Sequence, residues 1–394
     1  MSKFTVRILT AVFTFTIGVA IATAWVFNRT EEPGITPVEL SSDGPTMEMV
    51  FVLDTTGSMG GLLTGAKQRI WGIVNEVMQT SSLSSVKVGL VAYRDRGDQY
   101  ITQVLPLTED LDKVYSVLMD YQADGGGDEA ENVRRALAQG VAKAGWSQPS
   151  ANHAQILFLV GDAPPHDYAD EPDPLTTADL AVKQGIIVNT IQCGTSATTK
   201  QVWEAIARRG QGQYFLIPLD GGVQTISTPY DEQLRQLGTR LGGTFLAYGG
   251  GAGAEGENYR AALKEGSDSV ESSIATNSAP MAAADRSLNK ALNSKAYIGD
   301  LLQDIENGST KLESVKSEDL PSEVQKLSAE DRAKDIERRL AERKEIRKQI
   351  LSLSKQRNEY IAAEQQKRNG GRQNGFDVAV SAALRQQLAK KGIK

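Results

Sequence analysis

The stretch at residues 47–58, MEMVFVLDTTGS, decides the fold. Six of its first seven positions are apolar, which is typical of a strand buried on both faces of a sheet. The strand ends at an aspartate, and residues 62–78 then place leucine, isoleucine and valine at helical spacing. The stretch therefore predicts a buried strand, a tight turn that contains a glycine, and a helix.

The alternation of strand and helix continues along the chain. We predict strands at 86–93, 101–107, 155–162, 186–193 and 213–218, separated by helices near 109–120, 129–144, 175–184 and 199–209. Strands that alternate with helices form a mainly parallel sheet with helices on both faces. We therefore expect an α/β domain at 47–248, built on a doubly wound, Rossmann-like, mainly parallel sheet.

Oxygen-bearing side chains stand where these strands end, and ligands of such sheets bind at the carboxyl ends of strands. Asp54, Thr56 and Ser58 follow the first strand, Asp162 ends the strand at 155–162, and a glycine loop delivers Asp128 to the same edge. Hard oxygen ligands suit Mg²⁺, Mn²⁺ or Ca²⁺, and the sequence offers no cysteine or histidine cluster for zinc. These five residues are the predicted ligands. By itself Asp54 would also serve as a helix N-cap, and Asp128 would interact with a helix dipole.

Residues 47–248 resemble the von Willebrand factor type A domain in its bacterial, N-terminally anchored or secreted form. The family's metal-ion-dependent adhesion site has the pattern DxSxS, which Asp54, Thr56 and Ser58 match with threonine at the second position. The resemblance implies that both hydroxyls touch the metal, and that Asp54 and Asp162 act directly or through water. In much of the family a threonine on another loop completes the site. The matching loop here, DGGGDEAEN at 124–132, has no threonine, and Asp128 is its nearest substitute.

The resemblance implies a noncatalytic interaction module that binds a protein partner through the divalent cation. A partner's acidic side chain would complete the coordination shell, although three local carboxylates would weaken the attraction for it. We expect no enzyme, because the sequence presents no nucleophile with its base and no cofactor loop. The alternative is a metal-dependent hydrolase of phosphate esters, although Thr56 stands where such enzymes carry a second aspartate.

Composition narrows the classes of protein further. Of the 394 residues 40% are hydrophobic and 23% charged, an ordinary globular mixture that excludes wholesale disorder. Aromatic residues make up 6%, too few for a stacking platform, so we predict no nucleic-acid partner. Residues 331–394 hold 17 Lys and Arg against 8 Asp and Glu, which indicates a solvated helix face, an acidic partner or a membrane surface.

The N-terminus predicts a targeting element at 1–30. Lys3 and Arg7 precede an uncharged stretch at 8–27 that is long enough to span a bilayer. It is either a signal peptide or a membrane anchor, and either one places the rest of the chain outside the cytoplasm. We therefore expect a cell-envelope protein, anchored in the inner membrane and facing outward, or secreted or periplasmic. Residues 31–46 form a predicted linker because Pro and Gly recur there.

Beyond residue 248 the sequence predicts helices. We expect a flexible linker at 249–283 and a coiled-coil-like helical hairpin at 284–394. A capping box at 328–331 opens a long helix that extends to about residue 368, and a short helix follows at 376–390. Arg343 and Arg357 interrupt the apolar side of the long helix, which favours a hairpin over a self-standing coiled coil.

Three smaller motifs carry little weight. Arg96, Gly97 and Asp98 spell an integrin-binding tripeptide, but a three-residue string recurs by chance and this one lies in a turn. His153 and His166 lie at opposite ends of one strand segment, so they cannot pair on a zinc ion. Residues 93–95 follow a strand end and would support the metal site or form a structural salt bridge.

Overall fold

The structure is a computed structural model that describes residues 44–80, 83–127, 130–217, 226–277, 280–293, 297–368 and 375–393. The predicted targeting element at 1–30 and most of the predicted linker at 31–46 lie outside these ranges, as does Asp128. In the part of the chain that is described, no helix is both long and apolar enough to cross a membrane. Residues 43–394 belong to one compact unit.

A six-stranded sheet forms the centre of this unit. Its strands are β1 (Thr46–Asp54), β2 (Ser85–Tyr93), β3 (Thr102–Thr108), β4 (His153–Gly161), β5 (Ile186–Cys193) and β6 (Gln211–Ile217). They lie in the order β3-β2-β1-β4-β5-β6, and all neighbours are parallel except β3 with β2. The predicted mainly parallel α/β sheet is confirmed. The order of the strands reverses at β1, because β2 and β3 lie on one side of it and β4, β5 and β6 lie on the other. Open sheets of this kind bind ligands at such a switch point.

Helices cover both faces of the sheet. One face packs against α1 (Leu63–Thr80) and α2 (Leu111–Asp120), while the other packs against α3 (Val133–Ala142), α4 (Pro174–Lys183) and α5 (Ala197–Arg209). The central strands β1 and β4 are buried along almost their whole length. Burial on both faces explains why these strands are runs of apolar residues rather than alternating patterns.

Within the described residues, seven further helices follow the sheet. They are α6 (Asp231–Gly243), α7 (Gly253–Asn277), α8 (Pro280–Leu292), α9 (Leu301–Glu306), α10 (Ser322–Gln325), α11 (Ala329–Arg368) and α12 (Gly375–Ala389), with short 3-10 turns at Gly57–Gly61, Leu312–Ser314 and Ser317–Asp319. The long and short C-terminal helices match the predicted positions. Leucines of α6 pack with isoleucines of α11 and an alanine of α8 in a separate core.

The segment predicted as a flexible linker, 249–283, instead holds a helix. Helix α7 spans Gly253–Asn277 and buries Arg260 and Glu271. Arg260 Nη1 donates to the carbonyl oxygen of Gly249 at 2.7 Å, which fixes the glycine turn to the helix that follows it. The glycines at 249–253 that suggested a flexible join lie in the turn before the helix and at its first residue.

The last helix of the chain lies beyond the predicted domain limit at residue 248 but packs against the sheet. Helix α12 adds Val380, Leu384 and Leu388 to the core on the face that carries α1. Gln387 and Asn189 of β5 exchange side-chain hydrogen bonds at 2.9 and 3.2 Å. The last helix of the chain is therefore part of the sheet domain in space.

Candidate metal centre

The first loop of the candidate site follows β1. Asp54 is fully buried, and its Oδ1 accepts hydrogen bonds from the Thr56 amide at 2.9 Å and from Thr56 Oγ1 at 2.7 Å. Thr56 Oγ1 lies 3.1 Å from Ser58 Oγ. An aspartate that bonds the backbone two residues ahead is a common turn former, so the sequence of the loop shapes its own geometry. The result is a short line of oxygens that leads from buried Asp54 to exposed Ser58.

Asp162, which follows β4, lies beside this line. Ser58 Oγ donates to Asp162 Oδ1 at 3.1 Å, and the Asp162 carbonyl oxygen accepts a hydrogen bond from Thr199 Oγ1 of α5 at 3.0 Å. Four of the five predicted ligands, Asp54, Thr56, Ser58 and Asp162, therefore form one connected cluster. The fifth, Asp128, lies outside the described residues.

The electrostatics of the cluster favour a cation. Asp54 Oδ2 is buried and accepts no well-formed hydrogen bond among the described residues, although the nearby Tyr93 hydroxyl acts to lower the pKa of Asp54. Burial, together with the charge of Asp162, raises the pKa of Asp54 to about 7. Burial also raises the pKa of Asp162. A bound cation would supply the missing partner of Asp54 Oδ2 and would favour the ionised form of both carboxylates.

Glu131 is a carboxylate near the site that the sequence argument did not select. Its side chain is 2% exposed, and Oε2 has no hydrogen-bond partner in the described part of the chain. Burial and the charge of Asp54 raise the pKa of Glu131 to about 9. In the sequence, Glu131 belongs to the acidic loop DGGGDEAEN. The path of the backbone through this loop determines which of its acidic side chains is buried beside the candidate site. That path is not visible from spacing alone.

The donor set matches the chemistry of a hard divalent cation. Within the described ranges, no group of three or more His, Cys, Asp or Glu side chains is placed to hold a metal. The donors of the candidate site are two carboxylates and two hydroxyls. This set fits an oxygen-binding ion and not a zinc ion bound by sulfur and imidazole. Because Mg²⁺ prefers six oxygen ligands, four protein side chains leave positions for water or for a partner's oxygen.

A buried arginine, Arg94, holds the loop that follows β1 in place. Arg94 Nε donates to the Thr55 carbonyl oxygen at 3.1 Å, and Nη2 donates to the Gln122 carbonyl oxygen at 2.9 Å. The guanidinium also lies over the Tyr100 ring, 4.6 Å from its centroid. Of the three residues at 93–95, Arg94 thus has the clearest supporting role, because it joins the first loop to the segment before the glycine loop.

The integrin-like tripeptide is used within the protein. Arg96 Nη2 donates to Asp170 Oδ1 at 2.7 Å, and its guanidinium stacks on the Tyr168 ring at 3.9 Å. Asp98 accepts hydrogen bonds from the backbone amides of Asp95 and Gly126, each at 3.0 Å. These contacts assign both charged residues of the tripeptide a local structural role.

The two histidines lie apart, as expected. His153, at the start of β4, is buried with its Nε2 3.1 Å from Glu48 Oε2, at the sheet edge opposite the candidate site. His166 stacks on Tyr168 with ring centroids 4.6 Å apart, and its backbone amide donates to the Glu131 carbonyl oxygen at 2.9 Å. His166 therefore helps to place the loop that carries Glu131.

Comparison with known protein families agrees with the fold. A family model described as the von Willebrand factor A domain matches residues 48–228. This stretch of the chain is similar to the von Willebrand factor A domain. Such domains are generally protein-interaction modules rather than enzymes. The matched range ends after β6 and contains the candidate site, whereas most of the C-terminal helices lie beyond it.

Individual relatives match about a third of this chain. The von Willebrand factor A domain-containing protein 7 of Rattus norvegicus is 34% identical over 123 residues, 31% of this chain and 12% of its own. An ariadne-like RING finger protein of Acanthamoeba polyphaga mimivirus is 26% identical over 127 residues, 32% of this chain and 12% of its own. The match thus spans about one eighth of these two relatives.

Similar solved structures include the SpRpn10 von Willebrand factor A domain, with a TM-score of 0.35 and 17% identity over 44% of this chain and 88% of that one. Proximal thread matrix protein 1 from the mussel byssus also has a TM-score of 0.35, with 13% identity over 45% of this chain and 43% of that one. These likenesses are too distant to support any statement about ligands.

Proposed function

We propose that this protein binds a protein partner through a divalent cation held by Asp54, Thr56, Ser58 and Asp162. Mg²⁺ is the favoured ion, with Mn²⁺ or Ca²⁺ as substitutes. The observation that carries the proposal is the buried Asp54 Oδ2, which accepts no well-formed hydrogen bond within the described residues although the Tyr93 hydroxyl is near, and which stands at the inner end of a line of hydroxyls that reaches the surface. Leaving such an oxygen unpaired is costly, and a cation removes that cost.

The line of oxygens also suggests how the partner would take part. Ser58 is exposed and Asp162 half-buried, so the outer end of the cluster is accessible. A bound cation supplies a coordination position to an oxygen that comes from outside the chain. Two carboxylates balance the charge of a dication, and an additional acidic ligand from the partner would leave the assembly negative. We therefore propose that a partner's oxygen, either neutral or from one acidic side chain, completes the shell.

The place of action follows from the N-terminal segment. We propose that residues 1–30 direct the domain to the cell envelope, where it is anchored in the inner membrane and faces outward, or is secreted or periplasmic. A metal-dependent interaction module in that location would meet its partner outside the cytoplasm.

Metal-dependent capture tests the proposal. Residues 43–394 would be immobilised, exposed to envelope extract with Mg²⁺ or with EDTA, and the retained proteins identified by mass spectrometry. We expect one set of proteins to be retained with Mg²⁺ by the wild type and lost with Asp162→Ala. The matched control is Asp167→Ala, because the Asp167 side chain is 92% exposed and pairs with Arg134. Retention of the same proteins in EDTA would contradict a cation-mediated contact.

The hydrolase alternative has its own check. An assay of p-nitrophenyl phosphate with Mg²⁺ is expected to show no turnover by the full chain. Turnover that disappears with Asp54→Asn would replace the interaction module with a metal-dependent phosphatase.

A further inference from the structure

Asp98 links two loops that meet at the candidate metal centre. Its Oδ2 accepts a hydrogen bond from the Asp95 amide at 3.0 Å, which closes the turn that follows β2. Both of its carboxylate oxygens lie 3.0 Å from the Gly126 amide nitrogen, which donates to them. One half-buried side chain therefore joins the turn at 95–98 to the glycine loop at 125–127.

The glycine loop is shaped to accept this carboxylate. Gly125 and Gly126 have φ angles of +78° and +82°, a backbone conformation that favours glycine. A Cβ atom on Gly125 would stand 2.5 Å from Asp98 Oδ1, which is too close for any side chain. At Gly126 a Cβ would lie 3.2 Å from Glu131 Oε1, whereas at Gly127 it would meet nothing within 4 Å, so the crowding is confined to the first two glycines of the loop.

The same loop bonds to the first ligand loop. The Gly125 carbonyl oxygen accepts a hydrogen bond from the Gly57 amide at 3.0 Å, and Gly57 lies between the candidate ligands Thr56 and Ser58. The Asp124 amide in turn donates to the Thr55 carbonyl oxygen at 3.1 Å. A connected path of hydrogen bonds thus runs from the Asp98 carboxylate through the glycine loop to the backbone that orients both hydroxyls.

We propose that Asp98 is a positioning residue for the cation site, and the proposal rests on the function proposed above. Asp98 holds the glycine loop so that its carbonyl group fixes Gly57, and Gly57 fixes the directions of the Thr56 and Ser58 hydroxyls. Groups that orient metal ligands without touching the metal commonly alter its affinity when they are replaced. Asp98 of the tripeptide at 96–98 therefore supports the metal site through hydrogen bonds within the protein.

The test is Mg²⁺ affinity, measured by calorimetry on residues 43–394. We expect Asp98→Ala and Gly125→Ala each to raise the Kd for Mg²⁺ by about tenfold, and their controls to stay within about twofold of the wild type. The control for Asp98→Ala is Asp167→Ala, which removes one exposed negative charge near the same edge. The control for Gly125→Ala is Gly127→Ala, in the same loop but in open space.

Two additional measurements separate positioning from folding. Asp98→Asn keeps the side-chain volume and one acceptor oxygen, so it is expected to remain folded by circular dichroism and to show an intermediate rise in Kd. Hydrogen exchange without metal should become faster at the Gly126 amide in Asp98→Ala, because it loses its acceptor, and at the Gly57 amide, because the Gly125 carbonyl group that accepts from it is no longer held in place. Unchanged exchange at these amides would overturn the hydrogen-bond path.

The outcomes for this proposal and for the proposed function are distinct. If the wild type binds Mg²⁺ and the Asp98 and Gly125 variants bind it equally well, the positioning role of Asp98 is overturned while the metal site stands. If the wild type binds no divalent cation, the proposed function is overturned and the role of Asp98 with it.

Discussion

Asp54 shows how one residue's surroundings decide its role. The same aspartate would cap a helix if it stood alone, but its buried second oxygen and the neighbouring Asp162 make it a candidate metal ligand. The structure places Thr56 and Ser58 in the same hydrogen-bonded line. Local sequence predicted these three residues because they belong to a single tight turn.

Glu48 supports a prediction about acid stability. Burial alone would raise the pKa of Glu48, but hydrogen bonds from His153, Ser147 and Gln155 lower it to about 2 from its ordinary 4.5. A lowered pKa in the folded state contributes stability above pH 4.5, and this contribution is lost as the pH falls from 4.5 toward 2. We expect Glu48→Gln to lower the free energy of unfolding by roughly 3 kcal/mol at pH 7.

Denaturant titrations from pH 7 to pH 3 check this prediction. The difference between wild type and Glu48→Gln should shrink as the pH falls below about 4.5, because the wild-type carboxylate loses its advantage there. Glu330→Gln is the matched control, since its side chain is 78% exposed in a surface ion pair with Lys334. A constant difference across the whole range would rule out the carboxylate as its source.

Glu131 marks the limit of prediction at the residue scale. The four proposed ligands that cluster follow the ends of β1 and β4, so their position follows from sheet topology. Glu131 stands in a loop whose course depends on contacts such as Glu131–Pro165 and on the hydrogen bond from the His166 amide to the Glu131 carbonyl oxygen. These contacts join residues distant in sequence, and no pattern within the loop specifies them.

Among the secondary-structure elements, helix α12 shows which features of a helix the sequence predicts and which it does not. The sequence predicted its limits closely, because a glycine-rich break precedes an apolar segment. Its position against α1 and β6 was not predictable, because α6 to α11 separate it from the sheet along the chain. Helical periodicity reports which side of a helix is buried and leaves open which partner buries it.

A core substitution in α12 tests its role. Leu384 is 3% exposed and belongs to the same core as the sheet and α1. We expect Leu384→Ala to lower the free energy of unfolding by about 3 kcal/mol through lost burial and a cavity. Val378→Ala, on the same helix at a position 47% exposed, should change it by less than about 0.5 kcal/mol. Urea unfolding measures both, and equal small effects would show that α12 is not part of the core.

At the scale of the whole molecule, buried ion pairs hold the helical region to the sheet domain. Arg286 of α8 donates to Asp112 of α2 at 2.6 Å and to Glu271 of α7 at 2.8 Å, and it is 2% exposed. Arg357 of α11 joins Asp231 and Asp285 at 2.7 and 2.8 Å. Arg343 of the same helix pairs with Asp300 at 2.5 Å, so both arginines that interrupt the apolar side of α11 are paired within the fold.

Removal of Arg286 should destabilise the entire unit. Arg286→Ala would remove the guanidinium group that donates to the carboxylates of Asp112 and Glu271. Breaking a buried ion pair in this way lowers the free energy of unfolding by about 3 kcal/mol or more. The control Lys264→Ala removes an exposed pair with Asp268 and should cost less than about 1 kcal/mol. Thermal unfolding followed by calorimetry would show one transition at lower temperature for Arg286→Ala. Two separate transitions would contradict a single cooperative unit.

The central claim, a divalent cation at the switch point of the sheet, is tested most directly by calorimetric titration of Mg²⁺ into residues 43–394. A fragment that ends near residue 250 would not serve, because it lacks α12. We predict that the wild type binds Mg²⁺ with micromolar to low-millimolar affinity. This binding should be lost in both Asp54→Ala and Asp162→Ala and retained in Asp167→Ala. Absence of binding by the folded wild type, or equal binding by all four proteins, would contradict it.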